Sequence, residues 1–317
     1  MRHVFLVNPA AGPCDRTAQI KRQASDVLGR RGLPFTLCVS RGPGDLTRYA
    51  REAAETGEDV VLYACGGDGT LHEVVNGAAG FDNAVITHFP GGSGNDFVKL
   101  FDQPDAFRDL ERLLNGREVH LDLIHVKADG QTRYAVNICS LGLDARIGTQ
   151  AGRYRRLPVV GGKGAYLLSA AAGVLQGTHQ HYTVDFGARR VDANQTLVCI
   201  CNGCWYGGSF HPVPDARPDD GLLDVLMVKP VGLLRLATAI GQYKKGNYRR
   251  YPELIDHCRT ARLSVTCAQS QVLNLDGEAL TVRRVSFAVV PRALRFLCPQ
   301  GVRLLSNERK EEISGVI

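Results

Sequence analysis

Residues 65–76, Cys-Gly-Gly-Asp-Gly-Thr-Leu-His-Glu-Val-Val-Asn, set three glycines, a carboxylate and a hydroxyl side by side. The pattern suits phosphate. Glycines let the backbone approach an anion closely, and the first amides of a helix are unpaired and point outward. The apolar run 59–64 before this stretch reads as a buried strand, and 70–80 after it reads as a helix. Asp68 would repel a polyphosphate unless it works through Mg²⁺ or polarises a neighbour; in a plain turn it would cap the helix. A second loop favours the ligand. Residues 84–90 read as another strand, and Pro90-Gly91-Gly92-Ser93-Gly94-Asn95-Asp96-Phe97 follows it. Successive strands of a parallel sheet end on one edge, where ligands bind. Two glycine loops on that edge, with the hydroxyls of Thr70 and Ser93, describe a nucleoside triphosphate site.

The frame that positions these loops is legible in the rhythm of the chain. Residues 4–7 and 35–39 read as strands. Residues 19–28 read as a helix with Ile20, Ala24, Val27 and Leu28 on one stripe. Asp45 is the expected N-cap of the next helix, which buries Leu46, Tyr49, Ala50, Ala53 and Ala54. The two loop units follow, then a helix over 106–114. Such alternation builds a parallel sheet with helices on both faces. After residue 122 the rhythm changes to short β-rich runs at 134–139, 182–186, 197–201, 223–228, 263–267, 272–275 and 285–290. Helical segments are expected at 165–174 and 233–243. The fold class is therefore α/β plus β: a doubly wound parallel-sheet nucleotide-binding domain over 1–122, then an antiparallel β-sandwich-like domain over 123–299.

The bulk composition narrows the function. With 38 basic and 32 acidic side chains the net charge is +6, too mild for a dedicated nucleic-acid binder. Arg153-Tyr154-Arg155-Arg156 and the pair Lys244-Lys245 with Arg249-Arg250-Tyr251 are local clusters. Each reads as a solvated face or as a dock for an anionic membrane surface. No secretory leader or bilayer-length apolar stretch is legible, so a cytoplasmic or peripheral location is expected. Ten cysteines lack the framework of a secreted mini-protein and fit reduced thiols. Cys201-x-x-Cys204 with Cys199 and His211 has the makings of a zinc site, but 199 and 201 alternate within a strand and no second CxxC accompanies them. Residues 162–164 fail the Walker pattern, no His-Arg-Asp catalytic loop appears, and Ser93 lacks the hydrolase elbow. His88 and His125 lie in apolar strands and read as core or surface residues.

The full set of motifs resembles one family. Gly66-Gly67-Asp68-Gly69-Thr70 with Glu73, then residues 90–97, is similar to the bacterial lipid kinases related to diacylglycerol kinase. Sphingosine and ceramide kinases share that catalytic domain. The resemblance continues through Gly142-Leu143-Asp144-Ala145, residues 202–208, Pro218-Asp219-Asp220-Gly221-Leu222-Leu223-Asp224-Val225 and Asp276-Gly277-Glu278. The first pentapeptide is shared with NAD kinases and phosphofructokinases, whereas the set is specific to lipid kinases. His72 departs from the family, which more often has Asn there.

The resemblance implies the same two-domain plan, with 300–317 returning to the first domain. It implies ATP and Mg²⁺ as cofactors. Nucleotide contacts are implied for Asn8, Ser40, Gly66, Gly67, Asp68, Gly69, Thr70, Leu71, His72, Glu73, Ser93 and Asn95. Asp68 is assigned to the Mg²⁺–ATP end; Asp96 either assists or caps its helix. Glu278 matches the proton acceptor and Asp276 its support, at a turn that would otherwise be a plain Asp-Gly hairpin. A second Mg²⁺ is implied at the Asp220 carboxylate with the backbone oxygens of Arg217 and Leu222; an acidic turn without metal is the alternative. The reaction expected is transfer of the ATP γ-phosphoryl group to a lipid hydroxyl, diacylglycerol giving phosphatidate first. The alternatives are a sphingoid base, ceramide or phosphatidylglycerol, an NAD kinase, or a non-catalytic regulator. The expected partner is a membrane lipid, without nucleic acid; a homodimer is left open.

Overall fold

The computed structural model describes residues 1–143, 145 and 179–305. The chain divides into two compact units: Met1–Leu123 with a segment that begins at Val290, and Ile124–Val289. The first unit carries β1 (Arg2–Val7), β2 (Phe35–Val39), β3 (Val60–Gly66) and β4 (Ala84–Pro90), all parallel in the order β2-β1-β3-β4. Every residue of β3 and β4 is buried. That is the signature of parallel strands covered on both faces, and it explains their unbroken apolar runs. The helices are α1 (Thr17–Arg30), α2 (Asp45–Glu55) and α3 (Asp68–Ala78).

Asp45 is not the N-cap of α2. That place belongs to Gly44 (φ 87°), and the amides of Gly44 and Leu46 both donate to Glu73 Oε2 at 3.1 Å. The cap thus comes from α3, a partner that local spacing does not reveal. A Cβ on Gly77 would lie 2.2 Å from the Thr47 carbonyl, so α2 and α3 touch along backbone. The expected helix at 106–114 is shorter. A 3-10 turn covers Pro104–Arg108, and Asp109 restarts the chain as α4 (Leu110–Leu114) by accepting the Arg112 amide at 3.1 Å.

The second unit is an antiparallel assembly. Its strands are β5 (Arg117–Ala128), β6 (Gln131–Ala135), β7 (Ile138–Gly142), β8 (Gln180–Asp185), β9 (Arg190–Gln195), β10 (Leu197–Cys201), β11 (Leu223–Val228), β12 (Ile255–Thr260), β13 (Arg262–Leu275) and β14 (Glu278–Cys298). The order runs β12-β11-β10-β7-β13-β14, and β8 pairs with β13 and β9. Ile124, Leu141, Tyr182, Ile200, Met227 and Phe287 are among its fully buried side chains. The helix α5 (Leu233–Lys244) agrees with expectation to within a residue. The run 134–139 is two strands, because Val136 and Asn137 give their amides to Asp276 and leave the ladder. β14 is one continuous strand. Its start pairs with β13, and its Phe296 lies beside Ile86 of β4. A strand without a break in composition hides the return to the first unit, which begins at Val290 rather than at 300.

Among the described residues, no helix is long and apolar enough to cross a membrane. The expected helix at 165–174, Asp144, the cluster at Arg153, Arg155 and Arg156, and residues 306–317 lie outside the described residues.

Candidate active site

Three loops of the first unit meet through glycine. The Asn8 amide donates to the Cys65 carbonyl at 3.0 Å, and the Gly91 amide donates to Gly66 O at 2.8 Å. A Cβ on Gly12 would lie 2.3 Å from Gly91 O; one on Gly92 would lie 2.5 Å from Gly67 Cα. Backbone cannot give way as a flexible side chain does, so these contacts require glycine. Gly12 also needs it for its φ of 81°. Gly67 is the N-cap residue of α3, so the amides at the start of that helix open on the glycine seam. The geometry is that of an anion cradle.

The side chains assigned to this site fall into two groups. Asn8 Nδ2 donates to Thr70 Oγ1 at 3.2 Å, and Asp68 Oδ1 accepts the Phe97 amide at 3.2 Å. Asn8, Asp68 and Thr70 therefore bind the loops to one another. Gly66, Gly67 and Gly69 line the same turn, and Ser93 is exposed on the neighbouring one. The second group is turned to structure. Leu71 and His72 are buried within α3, and the Leu71 amide donates to Gly67 O at 3.2 Å. Glu73 spends its carboxylate on α2, as described. Ser40 closes its own turn, donating to Gly42 O at 2.8 Å. Asn95, at φ 49°, brackets Gly92 by accepting from its amide at 3.0 Å and donating to its carbonyl at 2.7 Å. Asp96 is buried and pairs with Lys99 at 2.6 Å.

Sequence reasoning missed three residues here. His88 is wholly buried in β4, where its Nε2 lies 2.9 Å from Gly66 O and burial pulls its pKa down to about 4. Neutral, with the proton on Nε2, it donates to the loop carbonyl and fixes it from below. The only sequence signal was a polar residue inside an apolar strand. Arg16 and Arg108 both donate to the Pro90 carbonyl, at 3.3 and 3.1 Å. Neither belongs to a glycine motif, and no spacing rule would have found them.

In the second unit, Asp276 and Gly277 form the two-residue turn between β13 and β14, with φ of 51° and 103°. Positive φ at both positions is the tight hairpin geometry that Asp-Gly favours. The two carboxylates of this turn differ. Asp276 accepts three amides, from Val136 at 2.7 Å, Asn137 at 3.0 Å and Ile138 at 2.9 Å. It anchors the turn. Glu278 is exposed, and among the described residues its carboxylate has no hydrogen bond or ion pair. Its carboxylate faces solvent.

The turn assigned to a second cation is occupied by the chain's own charge. Asp220 Oδ2 pairs with Arg259 Nη2 at 2.7 Å and Oδ1 accepts the Leu222 amide at 3.1 Å, while Arg217 pairs with Asp219 at 3.0 Å. Arg259 also lies 3.7 Å from the buried Asp224, which His257 meets at 2.7 Å. Mg²⁺ prefers several hard oxygens, and the expected set is the one Asp220 carboxylate with the backbone oxygens of Arg217 and Leu222. At the expected Arg217, Asp220 and Leu222 site, the carboxylate pairs with Arg259, which is too distant in sequence to be seen. Cys199 and Cys201 do share one face, their sulfurs 3.5 Å apart; burial pushes the Cys201 thiol far above its ordinary range. His211 stacks on Trp205 with ring centroids 4.0 Å apart.

Comparison with known proteins places this geometry in context. Residues 2–126 match the diacylglycerol kinase catalytic domain, and residues 137–298 match the YegS C-terminal NAD kinase beta sandwich-like domain. A Staphylococcus aureus (strain MRSA252) protein named "Putative lipid kinase" is 26% identical over 268 residues, which are 83% of this chain and 86% of that protein. A counterpart from strain JH9 is 25% identical over the same shares. A solved diacylglycerol kinase from Bacillus anthracis str. Sterne has a TM-score of 0.67 at 19% identity, covering 94% of this chain and 97% of that one. At that identity the likeness is one of fold.

Proposed function

Because the chain belongs to the diacylglycerol kinase-like family of lipid kinases, we propose that it transfers the γ-phosphoryl group of ATP to the hydroxyl of diacylglycerol, giving phosphatidate and ADP. The observation that carries the nucleotide end is the glycine seam at Gly12, Gly67, Gly91 and Gly92. Backbone meets backbone along it at Gly12–Gly91 and Gly67–Gly92, and the start of α3 opens on it. Such a cradle fits phosphate oxygens. Asp68 is the residue that would hold Mg²⁺ with the nucleotide. The ion, when bound, draws charge from the phosphate oxygens.

Phosphoryl transfer asks the protein mainly for positioning and for a group to take the acceptor's proton. Asn8, Thr70 and His88 hold the loops in register. Glu278 takes the proton from the lipid hydroxyl as the new phosphorus–oxygen bond forms and the bond to ADP breaks; Asp276 fixes the turn that presents it. The lipid is met at an anionic membrane surface. In the second unit, Lys245 and Arg250 are exposed and without an ion pair among the described residues, which supports docking through that face.

The test is transfer from γ-labelled ATP, with Mg²⁺, to mixed micelles of diacylglycerol, sphingosine, ceramide or phosphatidylglycerol, with NAD alongside. Label in diacylglycerol is the expected result. Label in another lipid would change the substrate and keep the reaction. Label in NAD alone would overturn the reading.

A further inference from the structure

The glycine loops have a charge problem. Residues 65–76 and 90–97 contain no lysine or arginine, yet they bring the carboxylates of Asp68, Glu73 and Asp96 to a site read as binding a polyphosphate. Asp96 is matched by Lys99, and Glu73 by amides. A Walker loop supplies a lysine at this point; this chain has none. The structure brings two guanidiniums instead, from just before α1 and from the end of the 3-10 turn at Pro104–Arg108. Both hold the Pro90 carbonyl, the first acceptor of the second glycine loop.

The two are not equivalent. Arg108 places Nε on Pro90 O at 3.1 Å and Nη1 on Asp105 at 2.8 Å, so its charge is already matched. Arg16 makes only neutral contacts: Nη1 to Pro90 O at 3.3 Å and Nε to Gln19 Oε1 at 3.1 Å. No carboxylate pairs with it among the described residues. Its Nη1 would be 3.6 Å from a Cβ on Gly91, so it sits directly over the glycine seam. Its field also reaches the base of the first loop. Burial pushes the Cys65 thiol up, and Arg16 is the charge that opposes this.

From this placement we propose that Arg16 is the phosphate-binding cation of the nucleotide loops, held in position by the Pro90 carbonyl, with Arg108 as its positioning partner. The inference rests on the nucleotide reading above and adds a residue that none of the motifs contains. Arg16 is half-buried beside backbone, where a charge-assisted hydrogen bond to phosphate is stronger than in open solvent.

The experiment is calorimetric binding of adenosine, ADP and ATP to the full chain, as wild type, Arg16→Gln and Arg16→Lys, with thermal melting as a companion. Arg16→Gln is expected to weaken ATP by about tenfold or more, ADP by less and adenosine not at all, because the loss tracks phosphate charge. Arg16→Lys should recover part of the ATP affinity. An equal loss for all three ligands, or unchanged ATP affinity, would overturn the proposal and leave the kinase reading standing. A wild-type chain that binds neither ADP nor ATP would remove both.

Discussion

Asp276 and Glu278 are two carboxylates two positions apart, and their surroundings give them opposite work. Asp276 satisfies three backbone amides, so losing it would strand buried donors. Glu278 satisfies none, so replacing it costs the fold little. Glu278→Gln should therefore lower the rate of lipid phosphorylation by about 10²- to 10⁴-fold, the range removed with a general base. ATP affinity and melting temperature should stay at wild-type values. Label transfer, calorimetry and a thermal melt on the same preparation check this; near wild-type turnover would sink the assignment. The turn was readable from Asp-Gly alone. The anchoring of Asp276 was not, because its partners are the amides at 136–138, and amides carry no residue signature. The same holds for Arg259, whose pairing with Asp220 joins residues 39 positions apart.

At the scale of elements, the site is a set of strand ends welded by contacts too close for any side chain. The strands, the loops and the order of α and β were legible because burial imposes period and glycine marks the turns. The loop-to-loop distances were not, since sequence says that a glycine is present and not what it touches. Gly92 and Gly29 show the difference. A Cβ on Gly92 would lie 2.5 Å from Gly67 Cα, whereas one on Gly29, inside α1, meets nothing within 4 Å. Gly92→Ala should part the two loops and abolish measurable ATP binding, with a loss of stability of about 1–3 kcal/mol from the forced backbone shift. Gly29→Ala should leave binding intact and stabilise the helix by roughly 0.5–1 kcal/mol. Urea titration with and without ATP separates them. If Gly92→Ala bound ATP normally, the seam would not be the cradle. Glu73 carries the same lesson, for its role as the cap of α2 needed a partner helix to become visible.

At the scale of the whole molecule, the first unit is not one contiguous stretch of chain. It takes Met1–Leu123 and then recovers a segment from Val290 after the second unit has been built. What secures that segment is aromatic. Phe296 is fully buried, with ring centroids 5.1 Å from Phe97, 5.7 Å from Phe101 and 5.8 Å from Phe107. Phe97 directly follows the second glycine loop and Phe107 precedes Arg108, so the cluster supports both the Asp68–Phe97 hydrogen bond and the Arg108 clamp. The return was implied by family resemblance and hidden in local pattern, because a buried phenylalanine in a late strand does not say which core it fills. Phe296→Ala removes a ring that packs on all three. The cost should be about 3–5 kcal/mol, the usual range for emptying a core aromatic site. Asp68 and the nucleotide loops lie about 200 residues away in sequence, yet nucleotide affinity should fall with this substitution, because the segment 97–108 loses its backing. Phe296→Leu, which refills most of the volume, should restore both stability and binding. Chemical denaturation and ADP calorimetry on the three chains decide the matter. Full ADP affinity in a folded Phe296→Ala chain would mean that the loops stand without the returning strand.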